Sequence, residues 1–229
     1  MRFDILTLFP DFFESPLKIG LFGKALETHK VEVCLHNIRD WAFDKHKRVD
    51  DIPFGGGPGM ILKPEPLALA IEEISGQDPT PPLKILLGPQ GTPLTQKKCR
   101  TLSKAKRVML VCGRYEGVDQ RVIDHFIDET ISIGDYVIMG GEAAALVLLE
   151  SVVRLQEGVL GNSDSPVHES FSSDLLEAPQ YTRPDEFRGW KVPEVLLSGD
   201  HKKIDEWRRR ESTNITQQIR PDLIKSSKG

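Results

Sequence analysis

At 229 residues with 39% hydrophobic side chains, the chain is long enough for one large domain or two modest ones and can fill a core. Its 30 basic and 34 acidic side chains leave a net charge of -4, which excludes nucleic-acid binding through the whole-molecule field and restricts it to a local patch. The three cysteines, Cys34, Cys99 and Cys112, stand far apart with no Cys-x-x-Cys pair, which argues against zinc or redox chemistry and fits a reducing, cytoplasmic setting.

The amino-terminal string MRFDILTLFP contains an apolar run from Phe3 that reads as a buried strand; Asp4 and Pro10 make it too short and interrupted for a signal peptide. No stretch approaches a membrane-spanning length. Further strands are predicted at LKILL from Leu83, RVMLVC from Arg107 and YVIM from Tyr136. Helices are predicted between them, at PEPLALAIEEI from Pro64, LTQKKCRTLSKA from Leu94 and VDQRVIDHFI from Val118, and another follows Gly141. This alternation predicts an α/β domain with a mainly parallel sheet, ending near Gly161. Residues 162–180, NSDSPVHESFSSDLLEAPQ, are polar, serine-rich and without period, and read as a mobile interdomain linker or lid. Residues 181–229 predict a small helical domain, in which Asp200 caps a helix carrying Ile204 and Trp207 on one face. From His201 onward eight Lys or Arg stand against four Asp or Glu, so the basic patch falls here.

Three of the predicted strands run into glycine-bearing segments, GPQG, GRYEG and MGGE. In an open α/β sheet, ligands bind beyond the carboxyl ends of the strands, where glycine lets the backbone approach closely, so the three could converge on one pocket. Each glycine could also simply end its strand. A P-loop is excluded because GLFGKAL has Ala25 where the hydroxyl is required and too few residues between its glycines. The Gly-x-Gly-x-Gly at Gly55, Gly57 and Gly59 follows no apolar strand and contains Pro58, which removes the context of a dinucleotide fingerprint and leaves a flexible functional loop. With no lysine after any of these turns, a ligand without phosphate fits better, and S-adenosylmethionine is of that kind.

The strings LFPDFF, HKRVDDIPFGGGPGM, VCGRYEGVDQRV, SIGDYVIMGGE, GVLG, YTRP and LLSGDH resemble, in order and with similar spacing, those of bacterial tRNA (guanine-N1)-methyltransferases (TrmD type), of the knotted SPOUT class. The resemblance runs from about Met1 to about Ser212. It implies a deep trefoil knot in the sheet domain, an obligate homodimer with its active site between subunits, and S-adenosyl-L-methionine bent within the knot loops. Those loops put Leu86, Leu87, Gly88 and Pro89, then Gly113, Tyr115, Glu116 and Gly117, then Ile133, Gly134, Asp135, Tyr136, Val137, Ile138, Gly140 and Gly141 around the methyl donor. Magnesium is associated with the family, but no acidic cluster in the sequence marks a site.

The reaction the resemblance implies is methylation of N1 of guanine 37, just 3' of the tRNA anticodon. That nitrogen carries a proton near neutral pH, so the reaction needs a base and a cation beside O6 of the ring. Arg154 falls at the family's catalytic arginine, and Glu169, before Ser170 and Phe171, falls at its base, where aspartate is common. On the residues alone, Arg154 reads as a helix-terminus cation and Glu169 as a solvated loop carboxylate; with glutamate in place of aspartate, the role of base could pass to Asp164 or Asp174. Lys202, Lys203, Arg208, Arg209 and Arg210 are expected on RNA phosphates, and Asp50 or Asp51 at a guanine edge. Ala144 replaces the family's usual proline and Gln180 its common histidine.

Overall fold

The computed structural model describes residues 1–161 and 169–226, with side chains to 224. It divides into two units, Met1–Gly161 and Asn162–Gly229. Of the expected linker, residues 162–168, with Asp164, lie outside the described residues.

The first unit is built on five strands, β1 (Arg2–Thr7), β2 (Glu32–Asn37), β5 (Leu83–Pro93), β6 (Arg107–Cys112) and β7 (Glu129–Ser132). They lie in the order β2-β1-β6-β5-β7, and every neighbouring pair is parallel. The hairpin of β3 (Asp50–Asp51) and β4 (Ile61–Leu62) stands apart from this sheet. A parallel sheet must be covered on both faces, so its central strands carry near-continuous apolar runs rather than an alternating pattern. All six residues of β6 are buried. Phe3, Ile5, Ile85, Leu87, Leu110 and Cys112 face one core with α1 (Gly20–Glu27), α3 (Gln96–Leu102) and α5 (Gly141–Val153). Leu6, Leu86, Met109 and Val111 face the other with α2 (Pro64–Gly76) and α4 (Gln120–Phe126).

At the start of the sheet the fully buried Asp4 carboxylate accepts hydrogen bonds from Arg2 (2.9 Å) and Arg107 (2.8 Å) and lies 3.0 Å from His36 Nε2. Burial alone would raise its pKa, but the bonds to His36, Arg2 and Arg107 outweigh that and hold it at about 2. Arg107 also donates to the carbonyls of Ile74 (2.6 Å) and Thr80 (3.1 Å), tying the end of α2 and the loop after it to the strand.

Three expectations need correction. The fourth strand is ETIS, Glu129–Ser132, and not YVIM: residues 136–139 form a loop in which Val137 is 89% and Met139 91% exposed. An edge strand needs only partial apolarity, so the apolar-run criterion picked the wrong segment. Second, β2 was not anticipated; as the opposite edge it is mostly half-buried and carries Glu32, His36 and Asn37. Third, GPQG does not end its strand. It forms a bulge inside β5, where the pairing with β7 jumps from Leu87↔Ile131 to Thr92↔Ile131.

After β7 the chain turns back across the end of β5 and reaches the end of β6, where Gly141 N donates to Gly113 O (2.8 Å) before α5 begins. This return is the stretch in which the resemblance places its knot.

The second unit holds the short hairpin β8 (Glu186–Phe187) and β9 (Trp190–Lys191), then α6 (Glu194–Leu197), α7 (His201–Ile219) and α8 (Pro221–Ser226). Asp200 caps α7 as expected, its carboxylate accepting from Lys203 N at 3.3 Å. From Glu169 on, the expected linker is tied to α7: Leu176 N donates to the buried Thr216 hydroxyl (2.9 Å), and Ser212 Oγ donates to Leu176 O.

Candidate active site

Beside the bulge of β5 and beyond the carboxyl ends of β6 and β7 lies a cavity of about 310 Å³. Its walls come from the β5 bulge, the loop after β6 and the return from β7, so all three glycine segments meet there. Each of those segments is shaped by its glycines. Gly134 sits at φ +149°, a conformation other residues rarely adopt, and the Tyr136 ring folds back over it, its hydroxyl donating to Ile133 O (3.1 Å). A side chain on Gly141 would place its Cβ 2.7 Å from Cys112 Cα, so only glycine lets α5 start against the end of β6. Gly113 differs: a Cβ there would meet nothing nearer than Leu87 O at 3.5 Å, so the protein has room for a side chain that it does not carry.

Beneath the return lies a buried ion pair. Glu142, in the first turn of α5, is 1% exposed and accepts from the Thr7 hydroxyl (2.7 Å). Its other oxygen is 2.9 Å from Arg114 Nε, both atoms shut off from solvent in the orientation of an ion pair rather than an aligned hydrogen bond. Arg114 also donates to Met139 O (3.2 Å) and lies over the Phe9 ring, 4.5 Å from its centroid. One side chain thereby joins three elements around the cavity wall. Cys112, fully buried beside this pair, has its thiol pKa pushed well up, first by burial and then by Glu142.

The loop after β6 is joined on its other side to the glycine-rich hairpin. Glu116 N donates to Met60 O, and Leu62 N to Gly117 O, each at 3.0 Å. The Gly55–Gly59 segment is therefore the tip of a hairpin bonded through its main chain to the cavity.

Of the positions expected around a methyl donor, Leu86, Leu87, Gly88 and Pro89 line the cavity from β5, and Gly113, Tyr115, Glu116 and Gly117 from the loop after β6. Ile133, Gly134, Tyr136, Val137, Ile138, Gly140 and Gly141 line it from the return; Asp135 is not among the lining residues. Gln90, Arg114 and Met139, which fall within the expected loops without having been singled out, also line it, and sequence reading missed Val118, Ile131, Ser132 and Ala144, which complete the wall. The available signal was Glu142, a lone acid at the head of an apolar helix, which demands a buried cation. Among the described residues lining the cavity, Arg114 is the sole Lys or Arg, and Glu142 engages it.

Arg154 and Glu169 are not in this wall. Arg154 is the C-cap of α5, thirteen residues after Gly141, which at the helical rise puts it about 20 Å along the axis. Glu169 belongs to the second unit, where its carbonyl accepts from Ser172 N (3.1 Å), and Asp174 lies in the same turn at φ +56°. Asp51 accepts from Ile52 N (2.8 Å), while Asp50 is half-buried in β3. On α7, Lys203 pairs with Asp200 (3.2 Å), Arg208 with Asp205 (3.7 Å) and Arg210 with Glu211 (3.1 Å); Lys202 and Arg209 have no acidic partner among the described residues. The same residues contain no group of three His, Cys, Asp or Glu able to hold a metal ion and no helix long and apolar enough to cross a membrane.

Residues 1–226 match the model of a family described as tRNA (Guanine-1)-methyltransferase TrmD. The chain is 52% identical over 224 residues to the tRNA (guanine-N(1)-)-methyltransferase of Brevibacillus brevis, covering 98% of this chain and 91% of the relative. It is 51% identical to proteins of the same name from Dehalococcoides mccartyi and Citrifermentans bemidjiense, in each case over 98% of this chain and 90% of the relative.

Proposed function

The chain belongs to the tRNA (guanine-1)-methyltransferase family, of the SPOUT class, and on that premise we propose that it methylates N1 of guanine 37 in tRNA with S-adenosyl-L-methionine as donor. The observation that carries this reading is the meeting of three glycine segments on one cavity, with the unfilled position at Gly113. A donor with a flat base and no phosphate suits walls formed largely of backbone and apolar side chains, in which the one Lys or Arg among the described lining residues is already engaged. Main-chain groups of Gly113, Ile133, Gly134, Tyr136, Val137 and Ile138 hold it, with Leu86, Leu87 and Ile138 against its base.

When bound, this donor supplies an electrophilic methyl group. The chain's part is to place the guanine, remove its N1 proton and stabilise charge at O6. Glu169 takes the proton, contributing on the order of a hundredfold to ten-thousandfold, and Arg154 stands beside O6. Because α5 puts its own Arg154 about 20 Å along its axis from Gly141, the arginine at a given cavity belongs to the second subunit of a homodimer. Exposed Phe9, Phe12, Ile19, Leu21 and Val147 support such an interface; the turn carrying Phe12 packs beside α5, which carries Val147. The first unit then acts as the donor-binding catalytic domain, residues 162–180 as the connection carrying the base, and residues 181–229 as the tRNA-binding domain. The three free cysteines fit a cytoplasmic enzyme.

Titration calorimetry with S-adenosyl-L-methionine and its demethylated product tests the cavity. Radiolabelled methyl transfer to unmodified tRNA, against a transcript lacking guanine 37, tests the reaction. Absence of saturable donor uptake, or equal label in both transcripts, overturns the reading.

A further inference from the structure

We propose that the second unit carries a binding site of its own, a receptor for one unpaired nucleotide of the RNA substrate, in the hollow between the segment around Tyr181 and helix α7; the inference rests on the tRNA reading above. The hollow has a volume of about 380 Å³ and is lined only by residues of this unit. That lies at the small end of ligand pockets, matching one nucleotide rather than a peptide helix or strand.

Its walls carry the two groups that single-stranded RNA requires. Tyr181 and Trp207 pack together with ring centroids 6.4 Å apart and planes tilted by 57°, and Tyr181 remains 50% exposed. An aromatic pair left open to solvent is a platform on which any base can stack. Leu196 and Ile204 supply the apolar lining. Arg183 and Arg208 bring positive charge to the same hollow: Arg183 has no acidic partner among the described residues, and Arg208 reaches Asp205 at only 3.7 Å on the surface, a pair of little worth. Stacking faces beside two guanidinium groups, which outnumber the one carboxylate among the described lining residues, Asp185, complement a base and its phosphate. The pocket also explains a sequence feature the donor cavity leaves unused, since Gln180 and the Tyr181, Thr182 and Arg183 of the YTRP string form one side of it.

The test uses the full-length protein and unmodified tRNA. Tyr181→Ala is expected to raise the KM for tRNA about tenfold or more, while Tyr181→Phe, which keeps the ring, stays near wild type. Arg183→Gln is expected to raise it severalfold and to flatten its salt dependence. Donor affinity by calorimetry and the melting temperature should stay at wild-type values in all three. Ultraviolet crosslinking of bound tRNA should place an adduct on the peptide containing Tyr181 or Trp207. Unchanged KM in both Tyr181→Ala and Arg183→Gln, adducts confined to other peptides, or a loss of dimer in place of a loss of RNA affinity overturns the proposal. Wild-type protein that transfers no methyl group to tRNA would sink the functional reading itself, whereas active wild type with indifferent variants sinks this inference alone.

Discussion

Glu142 Oε2 lies 2.9 Å from Arg114 Nε, and the Glu142 side chain is almost wholly buried while that of Arg114 keeps 21% of its surface. The two halves of this pair are therefore unequal. Arg114→Met strands a buried carboxylate and should cost about 3 to 5 kcal/mol. Glu142→Gln leaves a guanidinium with some access to water and should cost less. In equilibrium urea unfolding, the double variant Arg114→Met with Glu142→Gln should recover much of the loss of Arg114→Met alone. Strict additivity would show that the pair does not act as a unit.

Gly113 and Gly141 separate ligand room from fold. At Gly141 a methyl group would press on the main chain of Cys112, which cannot give way, so Gly141→Ala should lower the melting temperature markedly. At Gly113 the nearest atom is 3.5 Å away, so Gly113→Ala should melt near wild type. The new methyl group would instead occupy the cavity. Thermal shift with and without S-adenosyl-L-methionine should show the stabilisation by donor reduced in Gly113→Ala, with affinity down about tenfold, the cost of displacing close main-chain contacts. Undiminished donor affinity would place the donor elsewhere.

Asp4 gives the first unit an acid-sensitive clamp. Its carboxyl is held at about 2 against 3.8 for the unperturbed group. A depressed carboxylate contributes stability in full above the unfolded value, here about pH 4, and loses it as pH falls through the folded one. The contribution is of order 2 kcal/mol, lost between about pH 4 and pH 2. Asp4→Asn should lower stability at neutral pH and flatten the acid limb of a stability-pH curve over that window. A curve parallel to wild type would remove Asp4 from acid unfolding.

Legibility in the sequence followed burial. RVMLVC was readable because a central parallel strand carries a near-continuous apolar run, here the five residues after Arg107, and Asp200 because a cap is a local event. The convergence of the glycine segments after β6 and β7 could be read from where parallel strands end, whereas GPQG reaches the same cavity from inside β5. YVIM failed because apolar residues were taken to mean core, whereas Tyr136, Val137, Ile138 and Met139 wall a cavity and remain exposed in the single chain. ETIS failed for the opposite reason, being an edge strand only partly apolar. The bulge at Gly88–Gly91 and the Arg114–Glu142 pair depend on strands far apart in sequence meeting in register, which no local pattern encodes.

Glu169→Gln should bind donor normally and lose most turnover, measured as single-turnover label transfer at saturating tRNA; turnover within a few fold of wild type would pass the role to another carboxylate.

The placement of Arg154 makes the strongest prediction, because one helix cannot put both its first residue and its C-cap at the same cavity. Gly113→Val blocks the cavity of its own chain, and Arg154→Ala removes the arginine of its own chain; each alone should be nearly inactive. If Arg154 serves the partner's cavity, a mixed dimer has one site in which an open cavity meets an intact arginine. Random re-association of equal amounts makes half the dimers mixed, each with one working site of two, so activity should return to about a quarter of wild type. If Arg154 serves its own chain, every site in the mixture carries a defect and no activity returns. The readout requires only that subunits exchange, which mass spectrometry of differently tagged chains establishes independently. A mixture that exchanges fully and stays inactive would refute the division of the active site between subunits.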